Sequence, residues 1–182
     1  MAEAFEVPSC DKCRHPAIHH QVYSGRMMCG KHLSDSVQKK VSKAVRKQLV
    51  FPKDSHLTIL VAISGGKDSA VLLERMVSIL GKRRDVTIIG GCVDEGIEGY
   101  RPPSLECARE LCAQLGVGFE TVSYPELGFK EMDEVVSKMG DLNDSKAPCS
   151  YCGVFRRQGI NHLAKRINAD VIALGHNLDD MA

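Results

Sequence analysis

Apolar positions along the chain fall into short β-branched runs separated by stretches of helical spacing. Leu57-Thr58-Ile59-Leu60-Val61-Ala62-Ile63 predicts a buried strand, and Ala70-Val71-Leu72-Leu73-Glu74-Arg75-Met76 continues with helical periodicity. Residues 85–93 predict a second strand. Pro102 and Pro103 suit a helix start, and Leu105, Ala108, Leu111, Cys112 and Leu115 form its apolar stripe up to Gly116. A third strand over 117–122, a helix over 130–139, a polar loop up to Pro148 and a fourth strand over 170–174 complete the pattern. Such alternation predicts an α/β fold with a parallel, doubly wound sheet. Upstream, Val37, Val41, Ala44, Val45 and Leu49 share one side of a predicted helix, leaving Lys39, Lys43, Arg46 and Lys47 outside.

With 182 residues, 43% hydrophobic and 26% charged, the chain can bury one α/β core plus a small appendage. Three segments are expected: 1–33, a basic linker helix over 34–54, and the α/β domain over 55–182. A net charge of +1 gives no global nucleic-acid signal. The cations of residues 39–47 nevertheless form a local basic patch, suited to a solvated face or to an RNA backbone. No run of 18 apolar residues exists, and the acidic N-terminus lacks the basic and apolar regions of a signal peptide. The expectation is a cytoplasmic protein that meets no membrane. Eight cysteines without a secretory signal then point to metal or redox chemistry before disulfides.

Cys10-x2-Cys13, fifteen residues, then Cys29-x2-His32 is the layout of a closed tetrahedral zinc site. Gly25 and Gly30 supply the turns. About 30 residues with few large apolar side chains cannot hold themselves together, so a structural Zn²⁺ would supply the missing folding free energy. Four protein ligands leave no open position for catalysis. His15, His19 and His20 lie inside the loop and could substitute for one ligand, but the expectation is that they are exposed or stand behind the ligand set.

Ser64-Gly65-Gly66-Lys67-Asp68-Ser69 sits at the first strand-to-helix turn. Paired glycines let the backbone approach an anion, and the helix start presents free N–H groups and a positive dipole end. Phosphate is the natural guest, with Lys67 as mobile cation, Ser64 and Ser69 as donors, and Asp68 to hold Mg²⁺ or order the loop. The spacing is not that of a Walker loop. Pro148-Cys149-Ser150-Tyr151-Cys152-Gly153 places two cysteines at i and i+3 on an opening helical turn, where the dipole, Arg156 and Arg157 would favour thiolates. Half of an iron–sulfur site, a redox or persulfide pair, and a buried structural pair are all compatible with it. Cys107 and Cys112 read as core or neutral surface residues. Asp94-Glu95-Gly96-Ile97-Glu98-Gly99-Tyr100-Arg101 and Gly175-His176-Asn177-Leu178-Asp179-Asp180 both follow strands at the carboxyl edge of the sheet, where open α/β folds bind ligands.

SGGKDS resembles the PP-loop of the ATP pyrophosphatases. Taken with the cysteine–histidine set, DEGIEGYR, PCSYCG and GHNLDD in that order, it makes the chain similar to tRNA 2-thiouridine synthetases of the archaeal and eukaryotic cytosolic type. The resemblance implies adenylation by ATP of the C2 oxygen of a tRNA uridine, displacement of AMP by sulfur, and a [4Fe-4S] cluster held by three cysteines, two of them Cys149 and Cys152. It makes Ser64, Gly65, Gly66, Asp68 and Ser69 the phosphate contacts, assisted by Lys67, with Ala62 and Ile63 framing the adenine and ribose and Gly175 and His176 also at the nucleotide. Asp179 or Asp180 becomes the catalytic carboxylate, and Arg156 stabilises developing charge. The uridine must be unstacked to be reached. Sulfide or a ubiquitin-like thiocarboxylate carrier is the implied sulfur donor, and a homodimer the implied assembly.

The family runs on beyond the point where this sequence ends, and none of Cys92, Cys107 and Cys112 matches its third cluster cysteine. The expectation is a fragment in which ATP binding survives better than thiolation. Two other readings make different predictions. A PP-loop enzyme without sulfur chemistry would keep full activity after Cys149→Ala and Cys152→Ala, and a non-catalytic RNA-binding zinc module would release no pyrophosphate from ATP.

Overall fold

The computed structural model describes residues 7–51, 55–141 and 148–176, in two compact units that divide between Val50 and Phe51. In the smaller unit, β1 (His19–Gln21) and β2 (Arg26–Met28) form an antiparallel hairpin, and α1 (Gly30–Gln48) follows directly. α1 begins on the residue after Cys29 and carries His32 on its first turn. The expected division between residues 33 and 34 therefore falls inside a helix. Val45 is the buried residue of α1, whereas Ala44, expected on the apolar side, is exposed. Lys39, Lys40, Lys43, Arg46 and Lys47 are exposed.

The larger unit contains β3 (Leu57–Ala62), α2 (Lys67–Leu80), β4 (Val86–Asp94), α3 (Arg101–Leu115), β5 (Gly118–Ser123), α4 (Met132–Asp141), α5 (Pro148–Arg166) and β6 (Val171–Ala173). Its four strands pair in parallel in the order β5-β4-β3-β6, with Ile59 opposite Ile88 and Val171, and Ile89 opposite Gly118. The chain moves outward from β3 through β4 to β5 and then returns to the other side of β3. The carboxyl end of β3 is thus the topological switch point, the place where such sheets open a crevice for ligands.

Alternation along β4 explains the two helical layers. A Cβ on Gly90 would lie 2.5 Å from Cys112 Sγ of α3, and one on Gly91 would lie 2.5 Å from Leu60 Cδ1 and 3.4 Å from Leu163 Cδ1 of α5. Successive residues of one strand therefore meet α3 on one face and α5 on the other, the doubly wound arrangement expected from the sequence. Beneath α5, Leu60, Val93, Val122, Tyr124, Met132 and Leu163 form a buried cluster. Phe129 and Phe155, packed against it, stack on each other with ring centroids 4.3 Å apart, and Tyr124 meets Phe155 edge-on at 5.5 Å. This cluster fixes the first turns of α5 over the sheet. Among the described residues no helix is long and apolar enough to cross a membrane.

Candidate functional site

In the smaller unit, the sulfurs of Cys10, Cys13 and Cys29 and Nδ1 of His32 all lie within 4.8 Å of one another. Three of the separations are 3.3 Å (Cys10 to His32), 3.4 Å (Cys29 to His32) and 3.5 Å (Cys13 to Cys29). A tetrahedral site with ligands at about 2.0–2.3 Å has edges of about 3.3–3.8 Å, so the four atoms fit around one ion. Burial raises the Cys10 thiol, but the N–H groups of Cys29 and Lys12, with His32 and Cys13, outweigh it and bring it down to about 6. The N–H of His15 lowers the Cys13 thiol, yet burial and the neighbouring sulfurs leave it raised. One thiolate forms easily and the next is resisted, which is the balance that a cation reverses.

In the larger unit, the turn after β3 is held by its own serines. Ser69 Oγ donates to the carbonyl of Gly66 (2.9 Å) and accepts from the N–H of Ser64 (3.2 Å), and the N–H of Gly66 donates to Ser64 Oγ (3.3 Å). Gly66 is the N-cap of α2, which leaves the first N–H groups of that helix for a ligand. Gly65 has φ +82°, and a Cβ there would lie 2.4 Å from the Ser104 carbonyl of α3. Lys67 Nζ pairs with Asp68 Oδ2 at 3.0 Å, both exposed, so each is free to exchange the other for a phosphate or a cation.

A cleft of about 450 Å³ opens at this turn. Ala62, Ile63, Ser64, Gly66, Lys67, Asp68 and Ser69 line one side, with Gly175 and His176 from the segment after β6. Gly65 does not line it and faces α3. Gly153, Arg156, Arg157 and Ile160 of α5 line the cleft as well, so the phosphate loop shares one cavity with the part of α5 that follows its cysteines, whereas Cys149 and Cys152 do not line it. Gly175 closes tightly on the loop, where a Cβ would lie 3.2 Å from Cα of Ser69. Asp179 and Asp180 lie outside the described residues.

On the first turn of α5, Cys149 is exposed and Cys152 half-buried. Cys152 Sγ accepts from Arg156 Nη2 at 3.2 Å and lies 3.5 Å from the hydroxyl of Tyr124, which donates to the Cys152 carbonyl at 3.1 Å. Burial, reinforced by Cys152, pushes the Tyr124 phenol upward, so it remains a donor. Two thiols on one turn, one already receiving cationic and neutral donors, suit two ligands of a thiophilic centre. The other cysteines of this unit differ. Burial pushes Cys92, despite the opposing charge of Arg101, and Cys112 up to about 11, so both stay inert thiols. Cys107 is exposed on α3.

Glu95 and Arg101 belong to the site; the sequence placed their segment, residues 94–101, at the ligand-binding edge of the sheet without giving either residue a role of its own. Both are 3% exposed, and both line the cleft. Glu95 Oε1 accepts from Arg156 Nε at 2.9 Å. Glu95 Oε2 lies 2.7 Å from Arg101 Nε, an ion pair not aligned as a hydrogen bond. Arg101 in turn donates to the Ser64 carbonyl (3.1 Å), to Cys92 Sγ (2.9 Å) and to the Val93 carbonyl. The available signal was their place just beyond the carboxyl end of β4. Burial works against the charge of Arg156, and Glu95 more than restores it, leaving that guanidinium raised.

Comparison with known proteins agrees with this geometry. A family model described as a PP-loop domain matches residues 33–182. The tRNA 2-thiolation protein NcsA of Haloferax volcanii is 37% identical over 177 residues, covering 95% of this chain and 54% of that protein. Cytoplasmic tRNA 2-thiolation protein 1 of Caenorhabditis elegans is 33% identical over 181 residues, covering 96% and 46%. The solved structure of U34-tRNA thiolase NcsA from Methanococcus maripaludis with its [4Fe-4S] cluster matches with a TM-score of 0.78 at 32% identity, over 94% of this chain and 55% of that one. NH3-dependent NAD synthetase from Campylobacter jejuni, at 16% identity and a TM-score of 0.52 over 85% and 59%, shares the fold alone. The chain spans about half the length of the curated relatives it matches.

Proposed function

Because the chain belongs to the PP-loop family, we propose that its cleft binds ATP and serves a tRNA 2-thiolation reaction, in which a uridine C2 oxygen is adenylated and then replaced by sulfur. The observation that supports this reading is the shared cavity, lined by the phosphate loop and by Gly153, Arg156 and Arg157 of α5, which directly follow Cys149 and Cys152 on the same helix although neither cysteine lines the cleft itself. The N–H groups at the start of α2, together with Ser64 and Lys67, hold the phosphates, and Asp68 leaves its exposed pair with Lys67 to bind Mg²⁺. Ala62 and Ile63 take the adenosine side, with Gly175 and His176 closing over it. Attack of the C2 oxygen on the α-phosphorus releases pyrophosphate, and Arg156 faces the charge that develops. Asp179 or Asp180 supplies a carboxylate for proton transfer.

Cys149 and Cys152 would be two ligands of a [4Fe-4S] cluster, which when bound offers an iron to carry sulfide. Arg156 and Tyr124 orient the Cys152 sulfur for that role. The sulfur comes from sulfide or a thiocarboxylate carrier. The tRNA supplies the uridine unstacked, helped by the basic face of α1. The names of relatives such as that of C. elegans support a cytoplasmic setting. The experiment is anaerobic incubation of the full-length protein with tRNA, ATP and sulfide, followed by nucleoside analysis. 2-Thiouridine is expected, and its absence in the presence of bound ATP contradicts the reading.

Zn²⁺ is the ion proposed for Cys10, Cys13, Cys29 and His32, whose mixed sulfur and nitrogen set suits it. Apart from those ligands, the smaller unit buries little beyond Met28 and Val45. Chelation, or Cys13→Ser, is therefore expected to unfold it while the thermal transition of the larger unit stays in place. Limited proteolysis should then cut before Val50 and leave the PP-loop unit whole. Persistence of the hairpin and α1 without metal contradicts a structural ion.

A further inference from the structure

The cluster of Arg101, Glu95 and Arg156 is costly to keep. Buried ion pairs are often no more stable than apolar residues of the same shape, so the buried pair of Glu95 and Arg101, extended by the half-exposed Arg156, needs a reason other than stability. Their sum is +1, and that charge lines a cleft. One member, Arg101, donates to the backbone of the phosphate loop at Ser64. Another, Arg156, stands on the α5 wall and is half exposed. Glu95 alone touches both, through different oxygens.

We propose that Glu95 is a positioning residue for the nucleotide's phosphates, holding Arg101 behind the phosphate loop and Arg156 on the opposite element of the same cleft. This rests on the reading that the cleft takes ATP. Glu95 acts through the two guanidiniums, which take up both of its oxygens. Its carboxylate fixes the direction of two guanidiniums, so that one braces the Ser64 carbonyl and the other presents its remaining N–H groups to the anion. Long arginine side chains otherwise lose considerable rotamer freedom when they grip a phosphate. A carboxylate that has already ordered them removes that cost from binding.

The test uses the full chain with inorganic pyrophosphate, ATP and AMP as probes, each titrated calorimetrically against native protein, Glu95→Gln, Arg156→Gln and the double variant. Glu95→Gln is expected to weaken pyrophosphate and ATP about tenfold while AMP stays within about twofold. Simple electrostatics predicts the opposite sign, because removing a carboxylate makes the cleft more positive and tightens pyrophosphate. A purely structural role lowers the melting temperature without changing the ratio of AMP to pyrophosphate affinity. Arg156→Gln should weaken pyrophosphate similarly, and the double variant should lose no more than the worse single one. Tighter or unchanged pyrophosphate binding in Glu95→Gln, or full additivity, overturns the positioning role and leaves ATP binding intact. If Glu95→Gln does not fold, an unchanged affinity ratio in Arg156→Gln overturns it. Native protein that binds neither pyrophosphate nor ATP overturns both this inference and the reading beneath it.

Discussion

Gly65→Ala should reduce ATP-dependent pyrophosphate release about a hundredfold, the scale expected when reacting groups are displaced by about 1 Å. Two constraints meet at this residue. Its φ of +82° lies where an L side chain is strained, and an added Cβ would sit 2.4 Å from the backbone oxygen of Ser104. That oxygen belongs to α3 and cannot rotate away as a side chain would. The loop must move instead, and with it the N–H groups at the start of α2. Equilibrium binding of pyrophosphate should fall in parallel, while the melting temperature drops by only a few degrees, since the damage is confined to a surface turn. A Gly65→Ala protein with native pyrophosphate affinity would show that the loop's path does not matter.

Cys152→Ala should abolish 2-thiouridine formation by the full-length protein while leaving pyrophosphate release within a few-fold of native. The separation follows from the hydrogen bonds. Tyr124 is fully buried, but its hydroxyl donates to the Cys152 carbonyl, which the substitution keeps. The fold beneath α5 therefore survives at a cost of about 1 kcal/mol. What is lost is the sulfur that receives Arg156. Cys149→Ala should behave in the same way with less effect on stability, because its side chain is exposed. Nucleoside analysis and pyrophosphate release measured on one preparation read both arms. Thiolation retained in either variant would remove the cysteine pair from the sulfur chemistry, as in the PP-loop enzymes that work without sulfur.

Most of the architecture could be read from local pattern, because β-branched runs and 3.6-residue spacing leave few alternatives when they alternate strictly. Strand limits moved by a residue or two, as when β4 extends to Asp94. The length of α5 was less legible. Its buried positions are Gly159, Leu163 and Ala164, too few for a stripe, and Gly159 lets the helix approach so closely that a Cβ would lie 2.8 Å from Val93. The phosphate loop and the cysteine–histidine set were legible because each is contiguous or evenly spaced. Glu95 and Arg101 were not. A buried charge is tolerable only where partners converge, and theirs lie far along the chain, Ser64 37 residues from Arg101 and Arg156 61 residues from Glu95. The window 94–101 holds both residues and marks the sheet edge, but it does not contain the distant partners that make their burial tolerable.

The most direct measurement follows the fate of ATP labelled at the α-phosphate, incubated with the full-length protein, Mg²⁺ and tRNA. A phosphate loop that presents the nucleotide for attack at the α-phosphorus predicts label in AMP, released with pyrophosphate and dependent on tRNA. Label appearing in ADP, with phosphate as the other product, would mean cleavage at the γ-phosphate and would contradict the account.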